Sequence, residues 1–286
     1  MNGVVNRGAK SAGIGIRELC DYVGMSRQNY YAARRLRQRR EVDEGLLVEL
    51  VRQERRLQPR LGGRKLLHLL ESDLEEANVR VGRDRFFELL AEHDLLVTPK
   101  PGAPHTTNSR HALPVFRNLL FDREATAPHQ VWVSDLTYVR TDEGFVYAAL
   151  ILDKFSRKLV GWHLGDNLEA SGCLAALEMA LSQLPADRFP IHHSDRGCQY
   201  CCHAYVDRLW SRGLSISMTE QHHCYENAQA ERVVGILKQE YELDATFRTK
   251  RQALAAFRQA VELYNHRRPH LSLNYCIPAE VHARAA

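Results

Sequence analysis

The spacing of apolar positions changes character once along the chain, and the change separates two kinds of structure. Up to Val97 the apolar residues fall in short clusters: Leu46, Leu47, Val48, Leu50 and Val51, then Leu66, Leu67, Leu69 and Leu70, then Phe86, Phe87, Leu89 and Leu90. Clusters of this spacing predict helices that share a core. Ahead of them, Ile16 to Arg39 reads as a short helix, a turn at Gly24-Met25-Ser26, and a second helix starting near Arg27 with Ser26 as its N-cap. This is helix-turn-helix spacing. In that motif the second helix enters a major groove N-terminus first, which puts Arg27, Gln28 and Asn29 nearest the base edges. Gly62-Gly63-Arg64-Lys65 and Val81-Gly82-Arg83-Asp84-Arg85 place basic residues at helix starts, where Arg64 and Lys65 would meet a DNA backbone. From Thr98 to Leu113 the chain turns to Pro, Gly, Thr, Asn and Ser, the composition of a linker.

Beyond the linker the period drops to two. Val131, Val133, Asp135, Thr137 and Val139 alternate with Trp132, Ser134, Leu136 and Tyr138, which predicts a strand with Asp135 at its middle. The apolar run Phe145 to Leu152 suits a strand covered on both faces, and a third strand follows over Lys158 to Leu164. Helices are expected near 168–184, 201–212 and 228–241, with short strands ending near His192 and spanning 214–218. Three strands followed by alternating helices and strands describe an α/β mixed sheet flanked by helices, preceded by an all-helical N-terminal region. The expected organisation is a helix-turn-helix-like region at 1–60, a second helical block at 61–97, a linker at 98–125, a core at 126–245, and a C-terminal helix and tail at 246–286.

Charge sharpens the division. The net charge of the 286 residues is +4, but the chain up to His111 carries 20 Lys and Arg against 15 Asp and Glu, and the remainder 19 against 20. Arg34, Arg35, Arg37, Arg39 and Arg40 fall within seven residues. That density suits phosphate neutralisation, although a solvated helix face accounts for such a run equally well. Seven cysteines without an export signal point to reduced thiols, and no stretch is apolar enough for a membrane span, so a soluble cytoplasmic protein is expected.

Asp135 in an apolar strand, Asp195 just after a strand and Glu231 on a helix are unusual places for acids. Enclosing a carboxylate costs several kcal/mol unless something pairs with it. A divalent cation is one such partner: magnesium takes a few carboxylate oxygens together with waters and phosphates, and two ions about 4 Å apart assist phosphodiester displacement. Asn227, Glu231 and Lys238, four and seven residues apart, share roughly one helix face, which would present an acid to metal and polar groups to DNA.

With these boxes in view, the sequence resembles the catalytic reading frame of insertion-sequence transposases with a DDE core, relatives of the retroviral integrases. The resemblance rests on Trp132-Val133-Ser134-Asp135-Leu136-Thr137-Tyr138, on His193-Ser194-Asp195-Arg196-Gly197-Cys198-Gln199-Tyr200, and on Asn227-Ala228 with Glu231 and Lys238. Between Asp195 and Glu231 lie 35 residues, the family's D-35-E spacing. Tyr264-Asn265-His266-Arg267-Arg268-Pro269-His270, with Leu273 and Pro278, resembles the family's C-terminal signature. The resemblance implies a ribonuclease-H-like fold and two divalent cations, Mg2+ with Mn2+ as substitute, held by Asp135, Asp195 and Glu231. It implies strand cleavage at element ends by water, then strand transfer by the freed 3′ hydroxyl without a covalent protein intermediate. Lys238, Asn227 and Arg196 would lie at the DNA, with His193 or Arg196 assisting. Partners would be the terminal inverted repeats, the target DNA, a second copy on the paired end, and the upstream reading frame, whose helix-turn-helix and leucine zipper the chain does not carry. The setting would be the bacterial nucleoid. Glu226 stands where the family usually has Asp, which moves a charge beside the third acid.

Three other readings stay open at this level. Cys198 and Cys201, with His203, His222, His223 and Cys224 downstream, have zinc-ligand spacing, against which stands their reading as free thiols filling small sites. A DNA-binding regulator or decayed transposase would bind element ends without chemistry, and a plain nuclease would cut without joining.

Overall fold

The computed structural model describes residues 16–98, 113–120, 124–220 and 227–284, which leaves most of the expected linker and the 221–226 stretch, including His222, His223, Cys224 and Glu226, outside the described residues. By its internal contacts the chain divides into two units, residues 1–50 and 51–286.

In the first unit α1 (Ile16–Tyr22) ends at a turn whose Gly24 has φ +65°, a conformation that costs a residue without Cβ nothing. Ser26 caps α2 (Arg27–Leu57): its Oγ accepts the Asn29 N–H at 3.1 Å. α2 does not stop near Arg39. It runs for 31 residues through the apolar cluster at 46–51. The stretch between lacks apolar periodicity but is rich in Arg, Gln and Glu, good helix formers, and carries the i,i+4 pairs Arg39–Asp43 and Arg40–Glu44.

The second unit opens with the end of α2, α3 (Gly63–Leu69), α4 (Glu71–Glu76) and α5 (Arg83–Glu92), which bury Leu66, Leu70, Leu74, Phe86, Leu89 and Leu90. The sheet follows as β1 (Val131–Thr141), β2 (Gly144–Asp153), β3 (Leu159–Gly165), β4 (Ile191–Ser194), β5 (Ser215–Met218) and the two-residue β6 (Thr246–Phe247). Its order is β3-β2-β1-β4-β5, with β1, β2 and β3 antiparallel, β4 and β5 parallel to β1's direction, and β6 alongside the far end of β1. This is the ribonuclease-H-like mixed sheet; β1 to β5 lie at the expected strands, and the two-residue β6 falls where the C-terminal helix and tail are expected to begin.

Parity along β1 assigns the two sheet faces. Val131, Val133 and Val139 join the core under α9 (Ala228–Glu240) and α10 (Lys250–His266), while Trp132 and Leu136 join the core under α6 (Ala170–Ser182) and α8 (His203–Ser211). The four-residue α7 (Cys198–Cys201), a 3-10 turn at Leu271–Leu273 and the C-terminal α11 (Pro278–Arg284) are the remaining helical segments among the described residues. On the α6 face, a Cβ on Gly161 would stand 2.2 Å from the Ala176 carbonyl oxygen, so only glycine lets α6 seat this closely on β3. Among the described residues no helix is long and apolar enough to cross a membrane.

Candidate active site

Three elements bring the acids together. β4 pairs in parallel with β1 as Val131↔Ile191, Trp132↔His192 and Val133↔His193. Continuing that register two residues brings Asp195, the first residue beyond β4, level with Asp135 one strand away, where neighbouring strands are about 4.8 Å apart. By parity Asp135 shares the face of Val133, on which α9 packs. Glu231 sits in the first turn of α9, where the helix dipole favours negative charge.

The start of α9 is fixed directly to the strand that carries Asp135. Asn227, the N-cap residue, is 3% exposed, and its Nδ2 donates to the Ser134 carbonyl oxygen at 2.9 Å. The turn after Asp195 is equally constrained: the Gly197 N–H donates to Asp195 Oδ1 at 2.9 Å, and a Cβ on Gly197 would lie 3.0 Å from that oxygen. Arg196 Nε donates to the Thr219 carbonyl at 2.6 Å, tying this turn to the end of β5.

The electrostatics follow from the convergence. Burial, reinforced by the charges of Asp195 and Glu231, pushes the Asp135 carboxyl up to about 7, although the Leu136 N–H at 2.8 Å and nearby Lys238 both favour its ionised form. Lys238 is pulled below the usual lysine range by burial, while Tyr138 and Asp135 act against that. Its Nζ lies 4.3 Å from the centre of the Tyr138 ring, a cation–π contact on the same strand as Asp135. Among the described residues no three His, Cys, Asp or Glu side chains close tightly enough to hold a metal ion as they stand. Hard carboxylate oxygens are nonetheless the donors that magnesium-type cations take, with the remaining positions left to water and phosphate.

Under the site lies a polar layer that the alternation pattern did not disclose. His192 Nε2 lies 2.7 Å from Ser134 Oγ and 2.9 Å from the Tyr205 hydroxyl, and all three residues are fully buried. His193 is also fully buried, with Nδ1 2.8 Å from Ser217 Oγ on β5, so it lies inside the sheet.

Against known proteins, the integrase core domain family model matches residues 125–224, and a second integrase core domain model matches 212–278. The 31 kDa protein of insertion element IS600 from Shigella sonnei is 37% identical over 265 residues, covering 91% of this chain and 96% of that protein. The transposase of insertion sequence element IS629, also from Shigella sonnei, is 32% identical over 93% of this chain and 90% of its own length. This chain belongs to the insertion-sequence transposases, DDE-type polynucleotidyl transferases of the integrase superfamily. Transposase InsF of IS3A from Escherichia coli K12 is 42% identical over a shorter stretch, 46% of each chain. Among solved structures, the HTLV-2 integrase catalytic core domain in complex with magnesium aligns with TM-score 0.45 at 17% identity, over 56% of this chain and 99% of that one.

The transposase separates the residues that its sequence nominates for DNA. Arg27, Gln28 and Asn29 are exposed in the first turn of α2, and Arg64 is exposed on α3. Lys65 is engaged elsewhere: its Nζ bonds Glu240 Oε1 at 2.8 Å with the side chain 16% exposed. Asn227 faces inward, as described. Of the cysteine pair, Cys198 is exposed while Cys201 is fully buried, its Sγ 3.7 Å from Met218 Sδ, so the two thiols face different surroundings.

Proposed function

We propose that Asp135, Asp195 and Glu231 are the catalytic residues of this transposase and hold two divalent cations, Mg2+ or in its place Mn2+. The observation that carries the reading is the convergence of three acids from β1, the end of β4 and the first turn of α9, whose charges and enclosure raise the Asp135 carboxyl to about 7. Such an arrangement is unfavourable by itself and becomes favourable once cations enter. When bound, the ions would activate the attacking oxygen and stabilise the departing one.

The chain's own groups do the rest. Asn227 holds the start of α9 against β1, and so holds Glu231 toward Asp135. The Gly197 N–H orients the Asp195 carboxylate. Lys238, aimed by the Tyr138 ring, offers a cation to the phosphate beside the scissile bond. In the first reaction water attacks a phosphodiester at an element end, and the P–O bond to the 3′ oxygen breaks to free a 3′ hydroxyl. In the second that hydroxyl attacks a target phosphodiester, forming one P–O bond and breaking another. The exposed Arg27, Gln28, Asn29 and Arg64 are proposed to contact the terminal repeats. At least two copies act on paired ends, with the upstream-frame protein as fusion or partner, at the nucleoid of the bacterial cytoplasm.

The test is a cleavage and strand-transfer assay on labelled DNA carrying the element's own ends, with magnesium or manganese, comparing the wild type with Glu231→Ala. Joined products that vanish in the variant while end binding persists are expected. End binding without metal-dependent product, even with the upstream-frame partner added, would sink the catalytic assignment in favour of a regulator, and cleavage without joining would reduce it to a nuclease.

A further inference from the structure

The Tyr264 to His270 box has no role in the site described above, yet its two arginines reach one place. Arg268 is 2% exposed and grips Glu240 with two bonds, Nε to Oε2 at 2.8 Å and Nη2 to Oε1 at 2.9 Å. Lys65 of α3 completes the pairing on Oε1. Next to it, Arg267 grips Glu54 near the end of α2 through Nε at 3.0 Å and Nη2 at 2.6 Å, with Glu54 only 3% exposed. Glu54 in turn accepts Gln58 Nε2 at 2.8 Å, and Gln58 Oε1 accepts the hydroxyl of Tyr241 at 2.9 Å. The Arg60 N–H caps the Glu240 carbonyl at 3.2 Å. Every branch ends on Glu240 or Tyr241, the last residue of α9 and its C-cap.

We propose that these contacts form a two-armed ionic clasp that fixes the far end of α9, making Glu54, Lys65, Glu240, Arg267 and Arg268 positioning residues for Glu231. The proposal rests on the reading of Glu231 as a metal ligand. α9 is then held at two points, by Asn227 on Ser134 at its start and by the clasp at its end. The helix buries Ala230, Val233, Ile236 and Leu237 on the sheet, and apolar packing, being non-directional, holds its tilt and axial register less sharply than directional bonds do. Bidentate guanidinium–carboxylate pairs are directional and do fix them. The clasp also joins the second helical block, from α3, to the helix carrying Glu231 and Lys238.

The experiment uses the full chain with Arg267→Glu, the exchanged pair Glu54→Arg with Arg267→Glu, and the conservative Arg267→Lys. Arg267 is 47% exposed, which makes it the gentlest arm to reverse, and Arg267→Lys is read in its place if the reversal does not fold. Amide hydrogen exchange along α9, kcat for strand transfer, the metal concentration giving half-maximal rate, and the Kd for end DNA are measured together. Arg267→Glu is expected to lower kcat by about 10- to 100-fold and to raise the metal requirement, with Kd little changed. Exchange should quicken from Glu240 back to Glu231, and the exchanged pair should restore all of these. Faster exchange confined to residues after Lys238, with kcat and metal requirement unmoved, would overturn the proposal. Should the wild type give no joined product, the metal-ligand reading falls, and exchange alone decides: protection lost as far as Glu231 supports the clasp, and loss only beyond Lys238 refutes it.

Discussion

Asp135 and Glu240 are two enclosed carboxylates at opposite ends of the same helix's contacts, and their surroundings drive them in opposite directions. Asp135 meets Glu231 from the first turn of α9, and burial with the charges of Asp195 and Glu231 raises it to about 7. Glu240 closes α9. Burial works against its charge too, but the hydrogen bonds and charges of Arg268 and Lys65 outweigh burial and hold it at about 2. Similar enclosure thus gives a carboxylate that resists ionisation and one that resists protonation. What differs is the supply of cations: the protein provides them at Glu240 and leaves Asp135 short, which is how a site differs from a structural joint.

The largest expected effect comes from breaking the joint. Glu240→Gln leaves the Arg268 guanidinium buried with no counter-charge, and should cost about 3–5 kcal/mol in urea denaturation at pH 7. A loss under about 1 kcal/mol would mean that α9 owes its seat to packing alone, and the contrast would lose one side. The pH dependence has a definite sign. Because Glu240 is lowered in the fold from an ordinary 4.5 to about 2, its contribution is complete above 4.5 and is lost as pH falls from there through about 2. Wild-type stability should therefore fall more steeply than that of Glu240→Gln across this acid range.

Asp135→Asn should do the reverse. The folded protein holds this proton up to about 7 where the unfolded chain releases it near 3.8, so wild-type stability declines as pH rises between those values. At pH 8 without divalent ions the variant should be more stable than the wild type by roughly 1–3 kcal/mol, a gain that closes below pH 4. Magnesium should narrow the gap by stabilising the wild type alone. A destabilised Asp135→Asn at pH 8 would show that the acid is already satisfied and would remove the ground for the cation site.

How much of this contrast was legible in the sequence depends on whether the relevant signal was local. Apolar patterning places β1 with Asp135 at its middle, a short strand ahead of Asp195, and a helix under Glu231, because period-two and period-3.6 patterns report burial one element at a time. Of the face shared by Asn227, Glu231 and Lys238, Asn227 and Lys238 both meet β1, but Asn227 is buried with its amide on the Ser134 carbonyl 93 residues away, a partner that no local pattern reveals. Lys65 reads as a free cation near a helix start, and its partner Glu240 is 175 residues away, a separation no local pattern spans. For the same reason the Arg267-Arg268 box stands out as a motif while its partners Glu54 and Glu240 look like ordinary surface acids. The length of α2 is not legible in the apolar pattern because its middle is polar, and helix propensity with i,i+4 ion pairs leaves no apolar stripe to follow.

The smallest effect divides the clasp into its charged and neutral parts. Tyr241→Phe removes the hydroxyl that donates to Gln58 Oε1 and leaves both arginine–carboxylate pairs in place. The ring stays, so no cavity opens. Gln58 keeps its bond to Glu54 and loses one neutral partner, for which about 0.5–1.5 kcal/mol is the ordinary cost. Held beside Glu240→Gln, the variant asks whether α9 is fixed by charge pairing or by the sum of any contacts at its end. If denaturation shows Tyr241→Phe costing as much as Glu240→Gln, the ionic arms are not special and the comparison between Asp135 and Glu240 fails as an account of what holds the helix. If it costs a fraction while hydrogen exchange quickens back toward Glu231 as in Arg267→Glu, then the buried charges hold α9, and the Tyr241 hydroxyl is the link through which the Arg267–Glu54 arm reaches it.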